Sequence, residues 1–142
     1  MREFADLLSL GAKIEVTPAR QRRELNDPQL FSHLSEDDWD TVMRVHLRGH
    51  FCLSSVLGRR WRDQKKAGQT VDARIINTSS GAGLQGSVGQ ATYSAAKAGI
   101  AALTLVAAAE MSRIGVTVNA IAPSARTRMT ETVFADMMAT QG

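Results

Sequence analysis

Tyr93, the only tyrosine of the 142-residue chain, stands four residues before Lys97 in the stretch YSAAK, and Ser80 lies thirteen residues upstream of it. Four residues make about one helical turn, so a helix through this stretch puts the phenol and the ammonium on one face. A free phenol, with a pKa of about 10, is a poor base at neutral pH, but an ammonium within about 4–6 Å favours the phenolate by about 1–3 units. Such a pair can exchange a proton with an oxygen near neutral pH. A serine hydroxyl at an adjacent strand end can add the hydrogen bond that a developing alkoxide or carbonyl oxygen needs. The chemistry that results is interconversion of an alcohol and a carbonyl. The Tyr-x-x-x-Lys spacing alone is common on helices, where a tyrosine usually packs with its hydroxyl in water, so the surrounding elements have to decide.

Those elements read as follows. SEDD at 35–38 has capping-box spacing and starts a helix that should run to about residue 62. Its apolar face is carried by Trp39, Val42, Met43, His46, Leu47, His50, Phe51, Leu57 and Trp61. Ile75 and Ile76 in RIINTSS mark a short buried strand, GAGLQGSVGQ at 81–90 a glycine-rich loop, and residues 91–115 a long, buried, alanine-rich helix with Gly115 as its left-handed cap. VTVNAIAP at 116–123 is a second strand stopped by Pro123, followed by a loop leading to a further helix. Helix, strand, loop, helix and strand in this order predict an α/β protein with a parallel sheet. Ligands of such sheets sit beyond the carboxyl ends of the strands. Ser79, Ser80, Pro123 and Ser124 should therefore border one crevice, with the Tyr93 helix running between the two strands.

RIINTSS, Ser80, YSAAK and VTVNAIAP with its following loop together resemble the short-chain dehydrogenases/reductases over roughly residues 30–138. VHLRGHF, NTSSGAG, GQATYSAAKAG and APSARTRMTET are most similar to one branch. It includes the (3R)-hydroxyacyl-CoA dehydrogenase part of peroxisomal multifunctional enzyme type 2 and its bacterial relatives. The resemblance implies a partial Rossmann-like, doubly wound parallel sheet, the C-terminal catalytic half of that fold. It implies an oxidoreductase moving a hydride between NAD or NADP and a hydroxyl/carbonyl group, with a 3-hydroxyacyl thioester as the substrate class. A 3-oxoacyl thioester reductase or a hydroxysteroid dehydrogenase is the alternative within the family.

By the same resemblance Tyr93 is the general acid/base, Lys97 favours its ionised form and holds the nicotinamide ribose, Ser80 orients the substrate oxygen, and Asn77 is a buried scaffold residue. Pro123, Ser124, Ala125, Arg126, Thr127 and Arg128 are implied to line the nicotinamide and pyrophosphate side of the cofactor. The loop departs from the usual family text, with Ser124, Arg126 and Arg128 in place of a glycine, an aliphatic residue and a threonine. His46 stands where classical members carry an asparagine, and it can hydrogen-bond water or a backbone carbonyl. His46 and His50, four residues apart, could instead hold a metal, but no third ligand accompanies them, so no metal is expected. The helices at 35–62 and 92–114 are implied to form a homodimer or homotetramer interface, with Ala98, Ala101, Ala102 and Ala109 permitting close approach. A non-catalytic fragment associating only through those helices is the competing reading.

A member of the family is expected to begin with a strand, a glycine-rich turn and a helix that cradles the pyrophosphate. Residues 1–30 show no such unit and read as an atypical segment, with 31–142 as the partial dehydrogenase domain. With suitable codons, Arg20–Glu24 read one nucleotide later gives Val-Asn-Ala-Gly, a run the family places before the helix tryptophan. That coincidence suggests an out-of-frame N-terminal segment, beside a misassigned start or a genuine departure, and the coding DNA decides among them.

The composition sets wider bounds. With 44% apolar residues and a net charge of +3, the chain can form a globular core. Arg20, Arg22 and Arg23 have no interleaved aromatics and read as a solvated surface, so no nucleic-acid partner is expected. A small-molecule substrate is. The apolar run at 98–109 is too short to cross a bilayer, and MREFADLLSLGAK does not read as a secretory signal. Cys52 is the single cysteine, which excludes an internal disulfide and a cysteine-based metal site. These features point to a cytoplasmic protein.

Overall fold

In the computed structural model, residues 31–124 are described. The segment 1–30 with its arginine cluster, the loop residues Ala125, Arg126, Thr127 and Arg128, and the helix expected after them lie outside the described residues.

The capping box at Ser35 forms as its spacing predicts. The Ser35 hydroxyl accepts from the Asp38 amide at 3.1 Å, and the Asp38 carboxylate accepts from the Ser35 amide at 3.3 Å. Helix α1, Glu36–Met43, follows, and three acidic residues in its first turn complement the positive end of its dipole. The helical path continues through a π-helical stretch, Arg44–Arg48, into α2, Gly49–Lys66, and so ends four residues beyond the expected boundary at 62. Sequence periodicity does not register the π turns, which add a residue to the helical repeat. The expected apolar face is only partly covered. Val42 is buried and His46, Leu47, His50 and Trp61 are half-buried, but Trp39 and Phe51 are exposed.

Strand β1, Ala73–Thr78, and strand β2, Val116–Ile121, pair in parallel with Ala73 opposite Val116 and Thr78 opposite Ile121. The connection between them runs through a short helix α3, Gly81–Gln85, inside what reads as a loop, and the long helix α4, Ala91–Met111. A 3-10 turn at Ser112–Ile114 and Gly115 in the left-handed conformation (φ +88°) then turn the chain into β2. A side chain at Gly115 would also collide with the Val71 carbonyl, since a Cβ there lies 2.1 Å from that oxygen.

Both strands bury alternate residues. Val71, Ile75, Val116 and Val118 form a core cluster against which Trp61 of α2 and Ala107, Ala108 and Met111 of α4 pack. Ile76 and Ile121 are exposed, so only one face of this sheet is covered among the described residues. Helix α4 is likewise not buried all round, contrary to the reading of its alanine-rich sequence. Thr92, Ala96, Lys97, Ile100 and Thr104 make one buried stripe, whereas Leu105 and Val106 are 74% and 54% exposed. Alanine suits both environments, so composition alone does not distinguish a buried helix from a one-sided one. Ala91–Ile114 is long and apolar enough to cross a membrane by length and composition, a longer stretch than the 98–109 run. In the fold it lies against both strands and sets the buried Lys97 toward them.

Candidate active site

The site is built where β1 ends and α4 begins. Tyr93 occupies the first turn of α4 and Lys97 the second, with the Lys97 side chain turned toward the strand end. The Lys97 ammonium lies 5.6 Å from the centroid of the Tyr93 ring, so the expected pair is brought together. Lys97 is only 6% exposed, and its Nζ donates to the Thr78 carbonyl at 2.9 Å. Burial lowers its pKa below the ordinary lysine value, because the charged form has lost water that one carbonyl only partly replaces. Its backbone is gripped as well, since the Ser79 hydroxyl donates to the Lys97 carbonyl at 2.8 Å. Two consecutive residues at the end of β1 thus fix both ends of the lysine.

Gly83 brings α3 onto the same helical turn. A Cβ at this position would stand 2.6 Å from the Lys97 carbonyl carbon, so only glycine permits the contact. Ser80 lies between β1 and α3 as the N-cap of α3, its hydroxyl oxygen accepting from the Ala82 amide at 3.3 Å. That bond uses an oxygen lone pair and leaves the hydroxyl proton for another acceptor. Among the described residues no hydrogen bond joins Ser80 to Tyr93, and none engages the Tyr93 hydroxyl. Behind the site, Asn77 is 4% exposed and donates to the Thr104 hydroxyl at 2.8 Å, which in turn donates to the Ile100 carbonyl at 2.8 Å. The buried amide anchors β1 to the middle of α4. Pro123 and Ser124 follow β2 and are exposed.

Two histidines complete the surroundings. The His46 ring meets the Tyr93 ring edge to face, with centroids 5.3 Å apart and planes at 88°. Burial, then the neighbouring Lys97 charge and His50, lowers the His46 pKa from 6.5 to about 4, so this ring is neutral at physiological pH. His50 places Nδ1 2.7 Å from the His46 carbonyl, and its Nε2 is 3.5 Å from the Thr78 amide. Burial lowers its pKa too, against the opposing effect of that carbonyl contact. No cluster of three metal-ligating side chains occurs among the described residues.

Sequence reasoning placed Tyr93, Lys97, Ser79 and Ser80 at one strand end, but it gave Ser79 no hold on Lys97 and passed over Thr78, Gly83 and Thr104. Thr78 acts through a carbonyl and leaves no residue-type signature. Gly83 is one of three glycines in GAGLQG, and nothing in the sequence singles it out.

A lysine buried beside a tyrosine at the carboxyl end of parallel strands is an arrangement suited to proton exchange with a carbonyl or alcohol oxygen. The short chain dehydrogenase family model matches residues 19–138, and the chain belongs to that family. Over 110 residues it is 54% identical to hydroxyacyl-CoA dehydrogenase ChsB1 of Mycobacterium tuberculosis, covering 76% of this chain and 34% of that protein. It is 46% identical over 104 residues to peroxisomal multifunctional enzyme type 2 of Mus musculus, covering 73% of this chain and 13% of that protein. The crystal structure of a short chain dehydrogenase from Mycobacterium avium superposes with a TM-score of 0.69 at 67% identity, covering 72% of this chain and 35% of that one. These matches agree with the resemblance drawn from YSAAK and its neighbours, and the fold is the partial Rossmann-like α/β architecture expected. The chain spans about a third or less of the length of these relatives.

Proposed function

We propose that the chain carries the proton-transfer machinery of an NAD- or NADP-dependent oxidoreductase acting on a hydroxyl/carbonyl pair, with a 3-hydroxyacyl thioester as the substrate class. The observation that carries this reading is the Lys97 ammonium, buried beneath the Tyr93 ring and held by the Thr78 carbonyl. Lys97 has three N–H donors and one hydrogen-bond partner among the described residues. Its remaining donors suit the vicinal hydroxyls of a nicotinamide ribose, so the residues present fit the cofactor. Pro123 and Ser124, with Ala125, Arg126, Thr127 and Arg128, would hold its nicotinamide and pyrophosphate side. The bound nicotinamide supplies one chemical function, accepting or giving the hydride.

The chain's own residues handle the proton. In the oxidative direction the Tyr93 phenolate takes the substrate hydroxyl proton as the carbinol C–H bond breaks, and in the reductive direction the phenol returns it. The Lys97 charge stabilises the phenolate, and the Ser80 hydroxyl, whose proton its cap to Ala82 leaves free, orients the substrate oxygen. The substrate class rests on the names of the relatives at 54% and 46% identity.

A second feature favours association between copies. Phe51 and Val56 on α2 and Leu105 and Val106 on α4 are exposed apolar side chains, and they support a homodimer or homotetramer through the helices at 35–62 and 92–114. A cytoplasmic location agrees with the single cysteine. Titration of the protein with NADH and NADPH tests the catalytic reading. Saturable binding of either supports it, and no binding of both leaves association through the helices as the function of this chain.

A further inference from the structure

Among the described residues, His46 and His50 are half-buried titratable groups near the site to which the proposed proton transfer gives no part, and His50 is the one that reaches the strand end. Its ring lies between two elements. Nδ1 is 2.7 Å from the carbonyl of His46, which belongs to the π-helical stretch and also accepts the Gly49 amide. Nε2 is 3.5 Å from the amide of Thr78, the last residue of β1, at the long limit of a hydrogen bond. A carbonyl only accepts, so Nδ1 must carry the proton. A neutral ring then has a bare Nε2, which is the acceptor the Thr78 amide needs. The two peptide groups that flank the Thr78 Cα are therefore both engaged, the amide before it toward His50 and the carbonyl after it toward Lys97 Nζ at 2.9 Å.

We propose that His50 is a positioning residue for Lys97: as the Nδ1–H tautomer it ties the helix bulge to the amide of Thr78, the strand-end residue whose carbonyl, on the other side of its Cα, holds the ammonium under Tyr93. This deepens the reading under Proposed function and rests on it for its catalytic meaning, while the link itself is a matter of geometry. Burial favours the neutral imidazole that the link requires. Protonating His50 would set a second donor against the Thr78 amide and open the link. Among the described residues, the titratable groups facing Lys97 are Tyr93 on its own helix and His46 and His50 on the helix opposite.

Two measurements test the proposal. Nitrogen NMR of the imidazoles at neutral pH, with the His50 signals assigned by their loss in His50→Gln, should show Nδ1 protonated and Nε2 bare. An Nε2–H tautomer or a cationic ring overturns the proposal, and this reading needs only the unmutated fold. The second measurement follows Lys97 by NMR of isotope-labelled lysine through a pH titration. His50→Phe keeps the volume and removes both polar contacts; with the Thr78 carbonyl no longer held against the ammonium, the charged form loses its compensation and the Lys97 midpoint should fall further below that of a free lysine, by about half a unit or more. His50→Gln keeps a donor and an acceptor and should restore the midpoint. An unshifted midpoint in a folded His50→Phe protein overturns the proposal, as does failure of glutamine to restore it. Neither readout requires turnover. A protein that shows both results but transfers no hydride refutes the functional reading and leaves the His50 link standing.

Discussion

Replacing Gly83 with alanine should damage stability and site geometry together. The added methyl would stand 2.6 Å from the Lys97 carbonyl carbon, 2.7 Å from its Cβ and 2.8 Å from the Ala98 nitrogen. Unstrained contacts between such atoms lie at about 3.5–4.0 Å, so relief takes a displacement on the order of 1 Å. Two of the three atoms are helical backbone and the third is the first side-chain carbon, so none can rotate away. Helix α3 has to move off α4. Overpacking of this kind costs about 1–3 kcal/mol, which in a chain of this length lowers Tm by roughly 4–12 °C. Ser80 is the N-cap of α3 and shifts with it, and a misplacement of ~1 Å at a reacting centre costs on the order of 10²-fold in rate. Thermal unfolding by circular dichroism and steady-state turnover read the two effects. A Gly83→Ala protein that melts with the parent and turns over at the parent rate would refute the claim that this close approach fixes the site.

Other substitutions probe separate parts of the structure. Asn77→Ala leaves the Thr104 hydroxyl without its buried donor and opens a small cavity, and urea unfolding should show a loss of about 2 kcal/mol; a loss below about 0.5 kcal/mol contradicts the anchoring role. Gly115→Ala combines a positive φ with a collision against the Val71 carbonyl and should destabilise by about 2–4 kcal/mol, with unfolding midpoints equal to the parent's as the opposing result. The His46 ring takes a proton near pH 6.5 when the chain is unfolded but only near pH 4 in the fold, so stability should fall as the pH drops from about 6.5 to about 4. Because the ring is half-buried, the loss should be about 1–2 kcal/mol, less than full linkage gives. His46→Phe should flatten that limb, and an unchanged slope would assign it to other groups.

Much of the site was legible because its chemistry depends on side-chain type at fixed spacing. Tyr93 and Lys97 announce themselves by a one-turn separation, Ser35 and Asp38 by the capping box, and Gly115 by its place between a long helix and a β-prone run. What escaped was carried by backbone groups and by tertiary contact. Thr78 holds Lys97 through a carbonyl that every residue possesses, and Gly83 matters only because α3 folds back on the turn containing Lys97. The π-helical stretch around His46 shifts the helical phase by a residue. Beyond that shift Phe51 is exposed where a regular repeat assigns it to the core, and Trp39, ahead of it, is exposed as well. The alanine-rich sequence of α4 tolerates burial and exposure equally, so its one-sided packing appears only when the sheet is placed beside it. Ser80 was assigned by its position at the strand end, but its cap to Ala82 depends on α3, which reads as loop.

Hydride transfer with and without the Tyr93 hydroxyl tests the central claim most directly. The protein is mixed with NAD or NADP and a 3-hydroxyacyl-CoA, and reduced nicotinamide is followed by its absorbance. Turnover by the parent, and a loss of at least ~10²-fold in Tyr93→Phe with cofactor binding retained, is the predicted result. Turnover that survives in Tyr93→Phe would contradict the assignment of Tyr93 as the group that moves the proton.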